Sequence, residues 1–280
     1  MKVLSIANQK GGVGKTTTAV NIASCLAAAE RRTLLIDLDP QGNASSGLGV
    51  NKQSLSLSIY DSLVRKEPLQ NIIQKTALEF LDIAPSNNHL VGAELELVSA
   101  FSRESRLATA IQGLSDRYDY VLIDCPPSLN LLTVNAFAAS DGIIVPVQCE
   151  YYALEGLTEL VRTIQLIQDH LNPRLQIEGI VLTMYDARNN LARQVADEVR
   201  RYFPQKVYQT VIPRNVKLSE SPSHGKSIIL YDVQSKGAKS YLELTQEFLE
   251  IKNDSIKVQN ISSKDFSDLG EASFKEAQGG

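Results

Sequence analysis

At 280 residues with 43% hydrophobic and 21% charged residues, the chain has the size and ordinary globular usage of one large domain with a buried core, which excludes wholesale disorder and fibrous repeats. Its net charge of −4 excludes a global attraction to nucleic acid, so any DNA contact must come from a local patch. Cys25, Cys125 and Cys149 match neither a zinc pattern nor a disulfide framework, the first strand-like run begins almost at Met1 without a basic leader, and no run of about 18 apolar residues occurs; together these point to a reducing cytoplasm and away from secretion or membrane spanning.

In chain order, short β-branched runs alternate with segments of helical period. "VLSIA" leads into a Gly-rich stretch and a helix over 16–29, followed by "TLLIDLD", "LDIAP" and a helix over 104–116. "YVLIDCPP", "GIIVPVQ", a helix over 152–171, "GIVLTMYD", a helix over 191–203, "VYQTVIP" and a last helix over 238–251 complete the series. Several runs are almost continuously apolar, as strands buried on both faces of a parallel sheet must be. The alternation predicts an α/β class: a doubly wound, mainly parallel sheet flanked by helices, with ligands beyond the carboxyl ends of the strands. In the helix over 191–203, Leu191, Val195, Val199 and Phe203 form the predicted core-facing stripe. Residues 1–251 read as one domain, and the polar, weakly patterned 252–280 reads as a disordered tail.

The stretch "QKGGVGKTTT" follows the first strand and opens the first helix, which is the context of a phosphate-binding loop. Gly11, Gly12 and Gly14 let backbone N–H groups converge on an anion, and the helix adds its positive end. Lys15 is placed to reach the β- and γ-phosphates, and the Thr16 hydroxyl to ligate Mg²⁺. The expected first glycine of the pattern is replaced by Gln9, with Lys10 beside it. Asp124, ending the strand "YVLID", is the carboxylate expected to orient the Mg²⁺ shell. Asp39, just past the end of "TLLID", is placed to orient an attacking water beside the γ-phosphate, while Asp37 reads as structural, holding its loop by hydrogen bonds. His89, His170 and His224 are scattered and read as surface or loop residues.

Taken together, "KGGVGKTT", "DLDPQGN" and "IDCPPS" resemble the deviant Walker A, A′ and B motifs of the ParA/MinD P-loop NTPases, and "VPVQCEYYALEGL" and "VIPRNVKLSESPSHGKSIILYD" are similar to the chromosomal ParA (Soj) branch. The likeness runs over roughly residues 1–250 and leaves out the tail. It implies an ATPase using ATP and Mg²⁺, with Lys10, Lys15 and Asp39 catalytic and Lys10, Gly11, Gly12, Val13, Gly14, Lys15, Thr16 and Thr17 around the phosphates. The resemblance also implies that Lys10 reaches across an ATP-dependent homodimer to the partner's nucleotide, which accounts for the lysine at the deviant position. By the same resemblance Met184, Pro213 and Asn215 lie at the adenine end, Arg188 and Lys217 contribute to nonspecific binding of double-stranded DNA, and a ParB/Spo0J-like centromere-binding protein is the partner. Lys217 stands where relatives often carry Arg, which keeps the charge and loses the planar fork. A cytoplasmic, nucleoid-associated protein is implied.

Composition adds weight to the DNA reading. Between Tyr185 and Lys226 there are eight Lys/Arg against four acids, a local +4 that suits phosphate contacts without base readout. A MinD-like positioning ATPase at the membrane would need an amphipathic basic helix near the C-terminus; residues 252–280 carry four lysines and five acids with no sustained apolar stripe. A P-loop small-molecule phosphotransferase would need a lid or acceptor-binding insertion, and none is seen. Iron–sulfur chemistry would need paired cysteines, and Cys125 and Cys149 lack that context.

Overall fold

The computed structural model describes residues 1–251; the reading of 252–280 as a tail lies outside them. In the first half β1 (Lys2–Ile6), α1 (Lys15–Ala28), β2 (Thr33–Asp37), α2 (Asn43–Gly47), α3 (Ile59–Arg65), α4 (Leu69–Ile72), β3 (Gln74–Lys75), β4 (Leu81–Ala84), α5 (Leu90–Leu97) and α6 (Arg106–Gln112) follow one another. The second half continues with β5 (Tyr120–Asp124), α7 (Leu131–Ala139), β6 (Gly142–Gln148), α8 (Ala153–His170), β7 (Gln176–Thr183), α9 (Asn190–Tyr202), α10 (Val216–Glu220), α11 (Ile228–Tyr231) and α12 (Lys236–Ile251).

The strands form one seven-stranded sheet in the order β3-β4-β2-β5-β1-β6-β7, parallel except for the short edge strand β3, which runs antiparallel to β4. Strand side chains alternate between two apolar layers, as the two-residue period requires. Val3, Val121 and Ile123 face the layer covered by α3 and α5–α9, whereas Leu4, Ile6 and Leu122 face α1 and α12, where Leu26, Tyr241 and Phe248 are buried. Register then places the site. Ile6 of β1 and Asp37 of β2 both pair with Asp124 of β5, so the carboxyl ends of the three central strands finish level.

Two sequence readings are corrected by the structure. "VYQTVIP" is not a strand, although it runs beside β7 and bridges it at Ile180–Val207 and Tyr185–Pro213. Between the bridges, the backbone N–H groups of Gln209 and Thr210 donate to the Glu247 carboxylate of α12 at 2.7 and 2.9 Å, which removes them from the ladder. On α9 the buried stripe is Ala192, Val195, Ala196 and Val199, continued by Phe203, and Leu191 is left 40% exposed. The small Ala side chains allow α9 close against its neighbours, so the core-facing row lies one residue round from the row the larger apolar residues suggest. The helices α2, α3, α4, α5, α7, α10 and α11 and the strand β3 have no counterpart among the predicted elements. His89, His170 and His224 are exposed, as expected.

Candidate nucleotide site

The loop joining β1 to α1 is shaped by two glycines in the left-handed region, Gly12 at φ +75° and Gly14 at φ +88°. Gly14 caps α1 with no side chain bonded to the first-turn N–H groups, so those donors face an incoming anion. A Cβ on Gly11 or Gly12 would meet nothing within 4 Å, so this stretch of the loop borders open space. Val13, by contrast, is buried at 1% exposure, and its carbonyl accepts the Thr183 hydroxyl at 2.8 Å, which ties the loop to the end of β7.

Lys15 is 7% exposed and its ammonium donates to the Lys10 carbonyl at 3.0 Å, bridging the loop. Burial lowers its pKa, opposed by the charges of Asp124, Cys125 and Asp39, which places these groups around one spot. Asp124 is fully buried, and neither carboxylate oxygen has a hydrogen-bond partner. Its pKa is raised well above the carboxylate range, first by burial and then by the neighbouring Asp37 charge; the Thr16 hydroxyl, beside it but outside bonding geometry, works the other way. An orphaned carboxylate next to a hydroxyl is an oxygen donor set for a hard divalent cation, so the residues fit Mg²⁺. Among the described residues no group of three His, Cys, Asp or Glu is arranged to hold a metal alone.

The two aspartates after β2 have separate duties. Asp37 is fully buried and accepts from the Ser45 N–H at 2.7 Å and the Ser45 hydroxyl at 2.6 Å, while Ser45 Oγ accepts from the Ser86 N–H at 3.0 Å. Burial pushes the Asp37 carboxyl up to about 6 despite these bonds. This network holds the ends of β2 and β4 to α2. Asp39 is 8% exposed, and one oxygen accepts from the Gln41 N–H at 2.9 Å. Lys10 reaches out of the loop to Glu150, just past β6, at 2.8 Å, and Gln148 also donates to that carboxylate. The sequence reading missed Glu150, which lies 140 residues from Lys10 with no spacing signal to join them, and likewise Thr183 and Ser45.

A model of the AAA domain family matches residues 1–177. The chain is 58% identical to the sporulation initiation inhibitor protein Soj of Bacillus subtilis over 246 residues, covering 88% of this chain and 97% of Soj. It is 55% identical to the chromosome partitioning protein ParA of Myxococcus xanthus over 249 residues, covering 89% and 88%. The chain belongs to the ParA/Soj family of P-loop ATPases. A crystal structure from Mycobacterium smegmatis, described as cobyrinic acid a,c-diamide synthase with bound ADP and magnesium, shares its fold with a TM-score of 0.80 at 35% identity, covering 94% of this chain and 99% of that one.

In this ParA/Soj-type ATPase the residues read as the adenine end come together beside the loop. Met184 follows Thr183 directly, in a left-handed conformation at φ +50°, and the Tyr185–Pro213 bridge brings Pro213 and Asn215 alongside. The Asn215 Oδ1 is buried without a partner, an acceptor that suits an amino donor on a base. The residues read as DNA-binding lie farther out, and both are paired. Arg188 donates to Asp186 through Nε at 3.0 Å and Nη2 at 2.8 Å, and Lys217 meets Glu220 at 2.9 Å. Arg214 stands close enough to Asp186 to lower its pKa, whereas Lys206, whose carbonyl accepts the Ile180 N–H, is half-buried near the start of β7. The local +4 therefore spans both ends of β7 instead of forming one surface.

Proposed function

We propose that this ATPase partitions chromosome or plasmid DNA, with residues 1–251 as its ATPase domain. ATP–Mg²⁺ binds the loop through Gly11–Thr17, Lys15 holds the β- and γ-phosphates, Thr16 and Asp124 hold Mg²⁺, and Asp39 positions water. Mg²⁺ supplies charge neutralisation on the phosphates. Met184, Pro213 and Asn215 bound the base. Two ATP-loaded copies meet loop to loop, each lending Lys10 to the other's phosphates, and the dimer binds DNA without sequence preference through Arg188 and Lys217. A ParB-like partner accelerates hydrolysis and resets the cycle in the cytoplasm, on the nucleoid.

The observation that carries this reading is the outer side of the phosphate loop. Gly11 and Gly12 border open space, and Lys10 at their edge extends to Glu150 with its side chain only about one-third exposed. A lysine held at the mouth of the site by a surface carboxylate is available to a second copy. The 58% identity to Soj over nearly its full length supports partitioning over the synthase activity named for the 35% identical structure. Among the described residues no helix is long and apolar enough to cross a membrane.

The test is fluorescence anisotropy of a random-sequence duplex with ATP–Mg²⁺ or ADP–Mg²⁺ at two salt concentrations. ATP-dependent, salt-sensitive binding is expected, and Asp39→Ala is expected to prolong the ATP-bound signal. Equal weak binding in both nucleotides would break the link between the phosphate site and DNA.

A further inference from the structure

At the end of α1 farthest from the phosphate loop, a groove of about 310 Å³ opens between the last turn of α1 and α12. Leu242, Gln246 and Leu249 recur at helical spacing and put one row of α12 along it, with Ala28 and Ala29 on the opposite wall. Leu242 is 38% exposed, Leu249 is half-buried and both alanines are exposed, so the surface presented to solvent is mainly apolar. The polar groups along it are already engaged. The Gln246 amide donates to the Glu250 carboxylate at 2.7 Å, and the hydroxyl of the buried Thr245 donates to the Tyr241 carbonyl at 2.8 Å. A small polar ligand would therefore find little here to fix its orientation. An apolar stretch of chain, its backbone turned to water, needs no such partner.

The place of the groove names its occupant. The described residues end at Ile251, directly after Glu250 of the lining, so the chain leaves α12 at the mouth of the groove and continues to Gly280. Its next residues carry a turn signal, Asn253, Asp254 and Ser255, and then the alternation Ile256, Lys257, Val258, with both apolar residues on one side of an extended chain. A reversal at 253–255 sends that segment back along α12. In extended chain Ile256 and Val258 stand about 7 Å apart, within the roughly 10 Å that separates Leu249 from Leu242 along the helix. Charge agrees as well, because Lys252 and Lys257 flank the turn beside the exposed Glu250.

We propose that residues 256–258 of the same chain fold back into this groove, with Ile256 and Val258 against Leu242 and Leu249, so that the beginning of the polar C-terminal segment clasps α12 to the end of α1. The contact is separate from the phosphate loop and does not depend on the ATP–DNA cycle proposed above.

The test is a double-mutant cycle read by thermal unfolding of the nucleotide-free full chain, with Leu242→Ala on the groove and Ile256→Ser together with Val258→Ser on the segment. The segment variant alone is expected to lower Tm by about 2–6 °C, because two apolar side chains lose a covered surface. Joined to Leu242→Ala, it is expected to lower Tm by about 1–3 °C less than the sum of the separate losses, since each variant removes one side of the same contact. Leu242 is partly exposed, so its variant keeps the fold. The coupling is expected to be equal at low and high protein concentration, as a contact within one chain requires. An unchanged Tm for the segment variant would overturn the proposal. So would additive losses, which place the segment on another surface, or a coupling seen only at high concentration, which gives the groove to a second copy.

Discussion

Asp124 carries the sharpest conflict in the molecule between folding and chemistry. It is fully buried, its oxygens lack partners, and burial together with Asp37 raises its pKa. A carboxyl with a folded pKa above its unfolded value binds an extra proton in the folded state, so its contribution is harmless near pH 4 and becomes destabilising as pH rises through the folded value. Asp124→Asn is therefore expected to match the nucleotide-free parent near pH 4 and to exceed it at pH 8 by about 1–2 kcal/mol, or roughly 2–8 °C in Tm. The same substitution removes an oxygen donor for Mg²⁺, so the rise in Tm on adding ADP–Mg²⁺ should largely vanish. Thermal scans at the two pH values, with and without ADP–Mg²⁺, check both halves; a lower Tm at pH 8 would mean that Asp124 is stabilised by a partner the geometry does not show. Residues such as Asp124, Lys15 and Asp39 were legible in the sequence because a phosphate site needs set residue types at the end of a strand. Glu150 was not, because its meeting with Lys10 depends on β1 and β6 lying side by side.

Among the elements, those with a buried periodic pattern were legible, and the one segment wrongly read as a strand failed for a tertiary reason. β1, β2, β4, β5, β6 and β7 each contain an apolar run with few or no breaks, and α1, α8, α9 and α12 fall within a few residues of their predicted spans. The segment 207–213 also looks like a strand by composition, yet Glu247 takes its central N–H groups, a tertiary contact that no local pattern reports. This segment is held against β7 at a tight point. A Cβ on Gly179 would lie 2.3 Å from Cε2 of the buried Tyr208 ring and 2.8 Å from its hydroxyl. Tyr208 has no room to retreat, so Gly179→Ala is expected to cost about 2–3 kcal/mol, a Tm lower by roughly 4–12 °C. Because the displaced segment leads into Pro213 and Asn215, ADP affinity measured well below the melting range should fall as well. Gly156 in α8 is the control, since a Cβ there meets nothing within 4 Å and Gly156→Ala should stabilise by about 0.5–1 kcal/mol. Equal melting temperatures for the two variants would show that Tyr208 moves freely.

For the whole molecule, the proposed DNA binding raises the question of how a chain of net charge −4 would hold DNA and let it go. The sequence count of eight cations against four acids suggested one basic surface, but the fold sends Lys206 toward the start of β7 and Arg188 beyond its end. Of the acids in that segment, Asp186 and Glu220 each neutralise a cation read as DNA-binding. The Arg188 guanidinium holds the Asp186 carboxyl down at about 2. A depressed carboxylate keeps its partner from pH 4 upward and loses it only as pH falls through the folded value, so no physiological acidification frees Arg188. A phosphate must instead displace the carboxylate. Exposed pairs of this kind are weak, so in the proposed cycle a DNA phosphate would displace them at little cost and the affinity would stay low enough for release. Asp186→Asn with Glu220→Gln should therefore raise the affinity of the ATP-loaded protein for random duplex two- to fivefold at moderate salt, since only weak surface pairs are removed. It should also steepen the plot of log affinity against log salt, by about 0.9 for each further DNA phosphate that the freed cations neutralise. Anisotropy across a salt series reads both quantities. A parallel line of higher affinity would mean that the acids repel DNA at a distance without competing for these two cations. An unchanged line would place the DNA on another surface, and the cations beyond α9 would then have to be tested in their turn.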